Sequence, residues 1–492
     1  MRLSKSKYVD YLQCSKKLWL KTYKPELADE MDQTPFIIGH QVGEIAMSLF
    51  PGGKLVEFNA SDPQNIANMI SHTKQLIDSG ETIIYEAAFG LNGLLAIADI
   101  LVKKEDGYHI YEVKSSTEVN DVYIDDASFQ YHVISHNDIQ IAKINIVIIN
   151  NQYVRKGDLD VQQLFSKNDV TDIVINKQLE VVESIQKAFV DLSSPEHPSI
   201  DIGTHCNKPY DCQFIGYCWS HIPTPSVFDI QNFRRKHEYY QNGWITFEDL
   251  IQNQTRLNEN QQLQVNAYLN DTIHVNKPKI EDFLDKLYYP LVFLDFETFQ
   301  PAIPEYDNSR PYQQVPTQFS IHMITDEKYE LTHLEYLADE KEDPRRPLAE
   351  ALVKAIPKDA CVLAYNMSFE KMIILQLSEL FPDLKEELIS IHQCILDLME
   401  PFQKKHYYTK AMNGSHSIKA VLPALFPDDP ELSYKNLGSI KNGSEAMSAF
   451  PKLRRMNVEE REKTRKDLLE YCKLDTLAMV KIWEKLVEIT LK

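Results

Sequence analysis

The chain has 492 residues, a formal net charge of −20 and a hydrophobic fraction of 43%. That length suits two to four domains, and the acidic balance argues against indiscriminate binding to nucleic acid, although carboxylates massed at metal sites would count in the same sum. The opening "MRLSKSKYVDYLQCSKKLWL" lacks the apolar core of a secretory signal and no run reaches membrane-spanning length, so the expectation is a cytoplasmic protein without a membrane segment.

Taken in chain order, residues 1–222 read as helices, a strand region near 82–114 and mixed segments that include the apolar run "KINIVIIN". The first 24 residues hold seven Lys/Arg and one acid, with Tyr8, Tyr11 and Trp19 interleaved, a pattern suited either to nucleic-acid contact or to a solvated helix packed by its aromatics. In "GLLAIADILVKKEDGYHIYEVKSST" a strand ending at Asp99 turns into one carrying Glu112 and Lys114, which share a face by the period of two; Asp99 should meet Glu112 across the hairpin. Two acids can hold a divalent ion and a nearby lysine can orient the water that attacks phosphate.

Seven cysteines in a chain without an export signal suggest a reducing compartment, where clustered thiols are metal ligands sooner than disulfides. Cys206, Cys212 and Cys218 are evenly spaced with five residues between each pair, and Cys14 is the candidate fourth ligand. Zinc or an iron–sulfur cluster can use such a set, with His205 or His221 as alternative ligands in the zinc case. Cys361, Cys394 and Cys472 read as packing residues.

The proline seam "SHIPTPSVFD" marks a boundary, residues 223–285 read as a helical connector, and residues 286–492 alternate strand and helix as an α/β domain. Its first strand, "LVFLDFETF", places Asp295 and Glu297 on one face of an apolar run. "VLAYNMSFE" places Asn366 and Glu370 at the start of a helix, and "LLEYCKLDT" places Tyr471 and Asp475 one turn apart. Converging carboxylates need a cation, and hard oxygen ligands suit Mg2+ or Mn2+. A basic stretch, "KLRRMNVEEREKTRK", precedes Tyr471 and reads as a strand-steering surface or a solvated helix.

These motifs resemble two nuclease families. The last 200 residues resemble the DEDD exonucleases of the RNase H-like (DnaQ-like) fold, which use D-x-E on strand one, an acid after an Asn on a later helix, and Y-x-x-x-D on the last helix. The resemblance makes Asp295, Glu297, Glu370 and Asp475 metal ligands and Tyr471 the residue that orients the attacking water, with 3′ to 5′ polarity; Glu370 stands where that family usually has Asp. Residues 1–222 resemble the RecB-like PD-(D/E)XK nucleases of the CRISPR-associated, iron–sulfur kind. That likeness adds Gln130 in "DDASFQYHV" to Lys114 as a catalytic residue and makes Asp99 and Glu112 metal ligands. It also makes Cys14, Cys206, Cys212 and Cys218 the ligands of a [4Fe-4S] cluster that staples the domain ends. The family's upstream metal-binding histidine falls at Gly43, leaving Glu44, ahead of His40, as the expected substitute in "FIIGHQVGEIAMSLFPGG".

The implied protein is a multidomain α/β fusion: a restriction-endonuclease-like core, a helical connector and an RNase H-like domain. Its implied work is Mg2+- or Mn2+-dependent phosphodiester hydrolysis at two sites, on DNA single strands or ends, in repair, recombination or defence, with a helicase among the partners such parts have. RNA is the alternative substrate, and a nucleic-acid clamp with decayed sites the alternative of another class.

Overall fold

The computed structural model describes residues 2–326, 328 and 330–491, so residues 1 and 492 at the ends of the expected domains lie outside it. The protein is a mixed α/β chain of two compact units. The first runs to His221 and includes Ala302–Tyr312; the second comprises Ile222–Pro301 and the chain from Gln313 onward.

Unit 1 is built on a seven-stranded sheet. Its path runs β2 (Lys54–Leu55), β3 (Ile83–Leu91), β4 (Leu94–Lys104), β5 (Gly107–Val113), β6 (Ile141–Ile149) and β7 (Phe165–Asp169), with β1 (Leu3–Ser4) parallel to β4. β3, β4 and β5 form an antiparallel meander, and β6 joins parallel to β5. Helices α1 (Lys5–Gln13), α2 (Ser15–Tyr23), α3 (Thr34–Ala46), α4 (Asn65–Asp78), α5 (Asp121–Ser135) and α6 (Gln178–Ser193) complete it. α5 starts where the Asn120 side chain accepts the Tyr123 amide, and its Ala127, Phe129, Val133 and Ile134 join the main core. Segment Ala302–Tyr312 is held in the unit by Arg155, which donates to the Pro304 and Glu305 carbonyls at 3.0 Å each, and by Tyr312 donating to the Ser115 carbonyl.

Tyr8 stacks on Phe129 with ring centroids 4.9 Å apart, and both Tyr8 and Trp19 are buried. The basic N-terminal segment thus spends these aromatics on the core, and Lys17 and Lys21 on Asp10, instead of offering them to bases.

Unit 2 has a five-stranded sheet ordered β11 (Leu331–Leu337), β10 (Val315–Ile324), β9 (Leu291–Phe299), β12 (Cys361–Ala364), β13 (Ile395–Asp397). The first three strands are antiparallel neighbours, and β12 and β13 continue parallel to β9. β8 (His274–Val275) and β14 (Tyr407–Tyr408) make a separate short ribbon. The helices that frame the site are α7 (Arg345–Ala355), α8 (Ser368–Leu380), α9 (Lys385–Cys394), α10 (Ile418–Leu425), α11 (Gly443–Lys452) and the long α12 (Val458–Leu491). The residues expected as a connector belong to this unit: Ala267, Ile280 and Phe283 sit in one of its cores, beside Trp483 and Leu486 of α12. No helix among the described residues is long and apolar enough to cross a membrane.

Candidate metal centres and cysteine site

In unit 2 the sheet and α12 bring the expected acids together. Asp295 and Glu297 project from β9 and Asp475 from α12, and their carboxylate oxygens lie within 4.8 Å of one another. Burial pushes all three carboxyls above their ordinary range, and Asp475 raises Asp295 and Glu297 further by like-charge repulsion. Asp475 itself is pushed up to about 6, restrained by hydrogen bonds from Tyr434 and Tyr471 and by the Lys419 ammonium.

Glu370, on the first turn of α8, lies outside that three-acid spacing, yet its charge raises both β9 acids. It is 2% exposed, its Oε2 has no hydrogen-bond partner, and burial pushes its carboxyl to about 8. The turn that aims it is fixed by Asp397, whose carboxylate accepts the amides of Asn366 (3.0 Å), Met367 (3.3 Å) and Met399 (2.9 Å). Asn366 itself takes a left-handed φ of 71°, which Asn tolerates better than most residues.

Three residues that sequence reasoning missed act on this site. Tyr434 donates to Asp475 Oδ1 at 2.5 Å, and the Lys419 ammonium lies 5.7 and 5.8 Å from the ring centres of Tyr434 and Tyr471. Cys472, expected only to pack, also donates its S–H to Asp295 Oδ2 at 3.4 Å. The stretch "SIKAVL…SYKNL" held the first two in plain view, without a period that tied them to the acids. Of the basic residues before Tyr471, Arg461 and Arg465 are tied to Glu340 at 3.6 and 2.8 Å, which consumes charge expected to steer a strand.

In unit 1 the hairpin register places Ile100 opposite Tyr111, so Asp99 comes level with Glu112 one step further on. Asp99 Oδ2 accepts the Val113 amide at 2.6 Å. Glu112 is 1% exposed, and Lys114 is held between Glu112 Oε1 at 2.7 Å and Asp126 of α5. Gln130, one turn after Asp126, is fully buried, and neither of its side-chain polar atoms has a partner. Burial raises Asp99, and it raises Glu86 of β3, an acid with a left-handed φ of 54°. The register from Tyr85–Ile100 to Ala87–Ala98 puts Glu86 level with Asp99.

Glu44 does not join them. Val42 and Ala46 take the buried face of α3, so Glu44 points the other way, 65% exposed, with His40 Nε2 3.7 Å from its Oε1. The physical reason is helical phase: two residues from Val42 is about 200° of rotation.

Cys14, Cys206, Cys212 and Cys218 line one cavity, beside His205, Lys16 and Lys17. All four are free thiols. Burial pushes Cys14, Cys212 and Cys218 up, while the backbone amides of Lys16 and Lys17 draw Cys14 down, since it occupies the N-cap of α2. Among the described residues, no three of these sulfurs fall within 4.8 Å of one another.

Residues 292–417 match the family described as a domain of unknown function, DUF2779. The chain is similar to the uncharacterized protein MG366 of Mycoplasma genitalium, 28% identical over 222 residues, which is 42% of this chain and 33% of that protein. It is also similar to the uncharacterized protein UU173 of Ureaplasma parvum, 29% identical over 237 residues, 44% of this chain and 34% of that one. The chain thus matches about a third of the length of these curated relatives.

Proposed function

We propose that this protein is a divalent-metal-dependent nuclease with two sites, a DEDDy-type exonuclease site in unit 2 and a PD-(D/E)XK-type site in unit 1, acting on DNA single strands or ends. The observation that carries the reading is the buried convergence of Asp295, Glu297 and Asp475, with Tyr471 one turn before Asp475 on α12. Three carboxylates at that spacing repel one another out of water, and a cation relieves the repulsion. The placement follows the resemblance: D-x-E on the first strand of the sheet, Glu370 on a later helix after Asn366, Tyr471 and Asp475 on the last helix.

The donors fit Mg2+ or Mn2+, being all oxygen, with the buried Glu370 Oε2 and Glu112 Oε2 lacking partners. A divalent ion there supplies Lewis-acid activation of water and phosphate. The chain's own part is to hold the geometry. Tyr471 bonds Asp475 and Lys114 is clamped by Glu112 and Asp126; so held, Tyr471 would orient the attacking water in unit 2 and Lys114 would offer its ammonium to the phosphate of a unit 1 substrate.

The four cysteines fit a [4Fe-4S] cluster better than a single zinc. A tetrahedral zinc with bonds of about 2.3 Å draws its sulfurs to within about 4 Å of one another, closer than any three of these lie, whereas a cubane spreads its thiolates more widely. The cluster would serve as a staple between the N-terminal helices and residues 206–218.

The test is cleavage of end-labelled single-stranded DNA, duplex DNA and RNA by anaerobically purified protein in Mg2+ or Mn2+. Wild type runs beside Glu112→Gln, Asp295→Asn and the double variant. Each single variant should lose a distinct set of products. Faster cleavage of RNA would move the substrate class; binding without cleavage in either metal would overturn the reading in favour of a clamp.

A further inference from the structure

The strongest unexplained group is a lysine inside an acid site. Lys5 Nζ is 2.7 Å from Glu112 Oε1, 3.8 Å from Asp99 Oδ1 and 3.5 Å from the Ile97 carbonyl. Three oxygens around one ammonium, two of them from the expected metal ligands, form the kind of cage that otherwise holds a metal ion. Lys5 is 107 residues from Glu112 in sequence and is brought in deliberately: Leu3 and Ser4 pair parallel with Leu94 and Leu95, and the Ser4 side chain caps α1.

We propose that Lys5 is a built-in cation of the unit 1 site and sets its capacity at one divalent ion, an inference that rests on the nuclease reading of that site. Charge decides the number. With Glu86, Asp99, Glu112 and Asp126 all ionised, as a bound cation would hold them, Lys5 and Lys114 leave two negative charges, which one Mg2+ or Mn2+ balances. A second divalent ion would make the buried site positive, at high desolvation cost. The unused oxygen agrees: both ammoniums bond Glu112 Oε1, while the buried Glu112 Oε2 has no partner and remains to receive one ion. Lys5 acts through the carboxylates it touches and is a positioning residue.

The experiment counts Mn2+ bound to the full chain by calorimetry and by the electron-paramagnetic signal of free Mn2+. Unit 2 is silenced by Asp295→Asn with Asp475→Asn. This parent should bind one Mn2+, and adding Glu112→Gln should abolish that binding. Adding Lys5→Met, which keeps the side chain's length without its charge, should admit a second Mn2+ or tighten the first by at least about tenfold. Lys5→Arg should match the parent. If Lys5→Met fails to fold, Lys5→Gln replaces it with the same expectation. One Mn2+ at the parent's affinity in the charge-removed variant overturns the role of Lys5 while leaving the nuclease reading intact. No Mn2+ in the parent, unchanged by Glu112→Gln, overturns the nuclease reading of unit 1 and this inference with it.

Discussion

The phenol of Tyr434 donates to Asp475 Oδ1 at 2.5 Å, so one of the three crowded acids in unit 2 is held by a residue 41 positions away that no motif marks. That bond restrains the Asp475 carboxyl, which burial nonetheless pushes up to about 6. Tyr434→Phe should therefore raise it further and leave more of it protonated at neutral pH. A hydrogen bond to a charged group contributes about 1.5–3 kcal/mol, so Mn2+ affinity at pH 6.5 should fall about tenfold, with partial recovery at pH 8.5. An equal affinity at both pH values in the variant and wild type would show that Tyr434 only packs.

Without metal, unit 2 should lose stability as pH rises. Glu370 has a folded-state value of about 8 against an ordinary 4.5, and Asp475 about 6 against 3.8. Between those limits the folded chain keeps protons that the unfolded chain has released, so stability is greatest below the unfolded values and declines as pH rises through the folded ones. In EDTA the melting temperature should be at least about 3 °C lower at pH 8 than at pH 5.5, and Mn2+ should close the gap by binding only the folded state. Asp295→Asn relieves the crowding, so it should raise the metal-free value at pH 8 and remove the part of the Mn2+ response that comes from unit 2. A flat metal-free profile would mean the acids are solvated.

What was legible in the sequence is what recurs at a short period. Asp295 and Glu297 interrupt an apolar strand two residues apart, and Tyr471 and Asp475 repeat at one helical turn, so each pair announces a shared face. The Asp99–Glu112 meeting followed from a hairpin whose turn is in the sequence. Glu86 was not legible, because a single acid in the run Ile83–Leu91 has no partner at period two. Lys5 and Asp126 could not be read at all: both reach the site through packing, one from an N-terminal helix and the other from α5. The exposure of Glu44 was hidden for a related reason, since the phase of α3 is set by Val42 and Ala46 meeting the core. The insertion of Ala302–Tyr312 into unit 1 has no sequence signal, because its ties to Arg155 and Ser115 span about 150 and 200 residues.

Cys14→Ser separates the cluster from the cap. Serine is a good N-cap, so α2 keeps its start, while the thiolate is lost. Anaerobically purified wild type should contain iron and absorb in the visible, and the variant should keep less than about a tenth of that iron. The staple closes a loop of roughly 200 residues, so its loss should also cost several kcal/mol by loop-closure arguments. Among the contacts that would survive, the Gln13 side chain donates to the carbonyls of His205 and Tyr210 at 2.8 and 2.7 Å, and Trp19 and Leu20 pack with Phe214. Wild type carrying zinc and no iron would instead support the single-ion site.

Asp126 provides the sharpest test of how Lys114 works. Its carboxylate and Glu112 together hold the Lys114 ammonium, and of the charges around that amine Asp126 raises it most. Asp126→Asn keeps the shape and removes the charge. Lys114 should then remain protonated through Glu112 but lose the second anchor that fixes its direction. With Asp295→Asn silencing unit 2, unit 1 cleavage should fall about 10- to 100-fold in kcat with little change in KM, because a misdirected ammonium weakens the transition state more than the bound substrate. If Asp126 acts through Lys114, then Lys114→Met with Asp126→Asn should be no slower than Lys114→Met alone. Losses that multiply in the double variant would show that Asp126 has a separate task in the site, as a metal ligand through its unpartnered Oδ1.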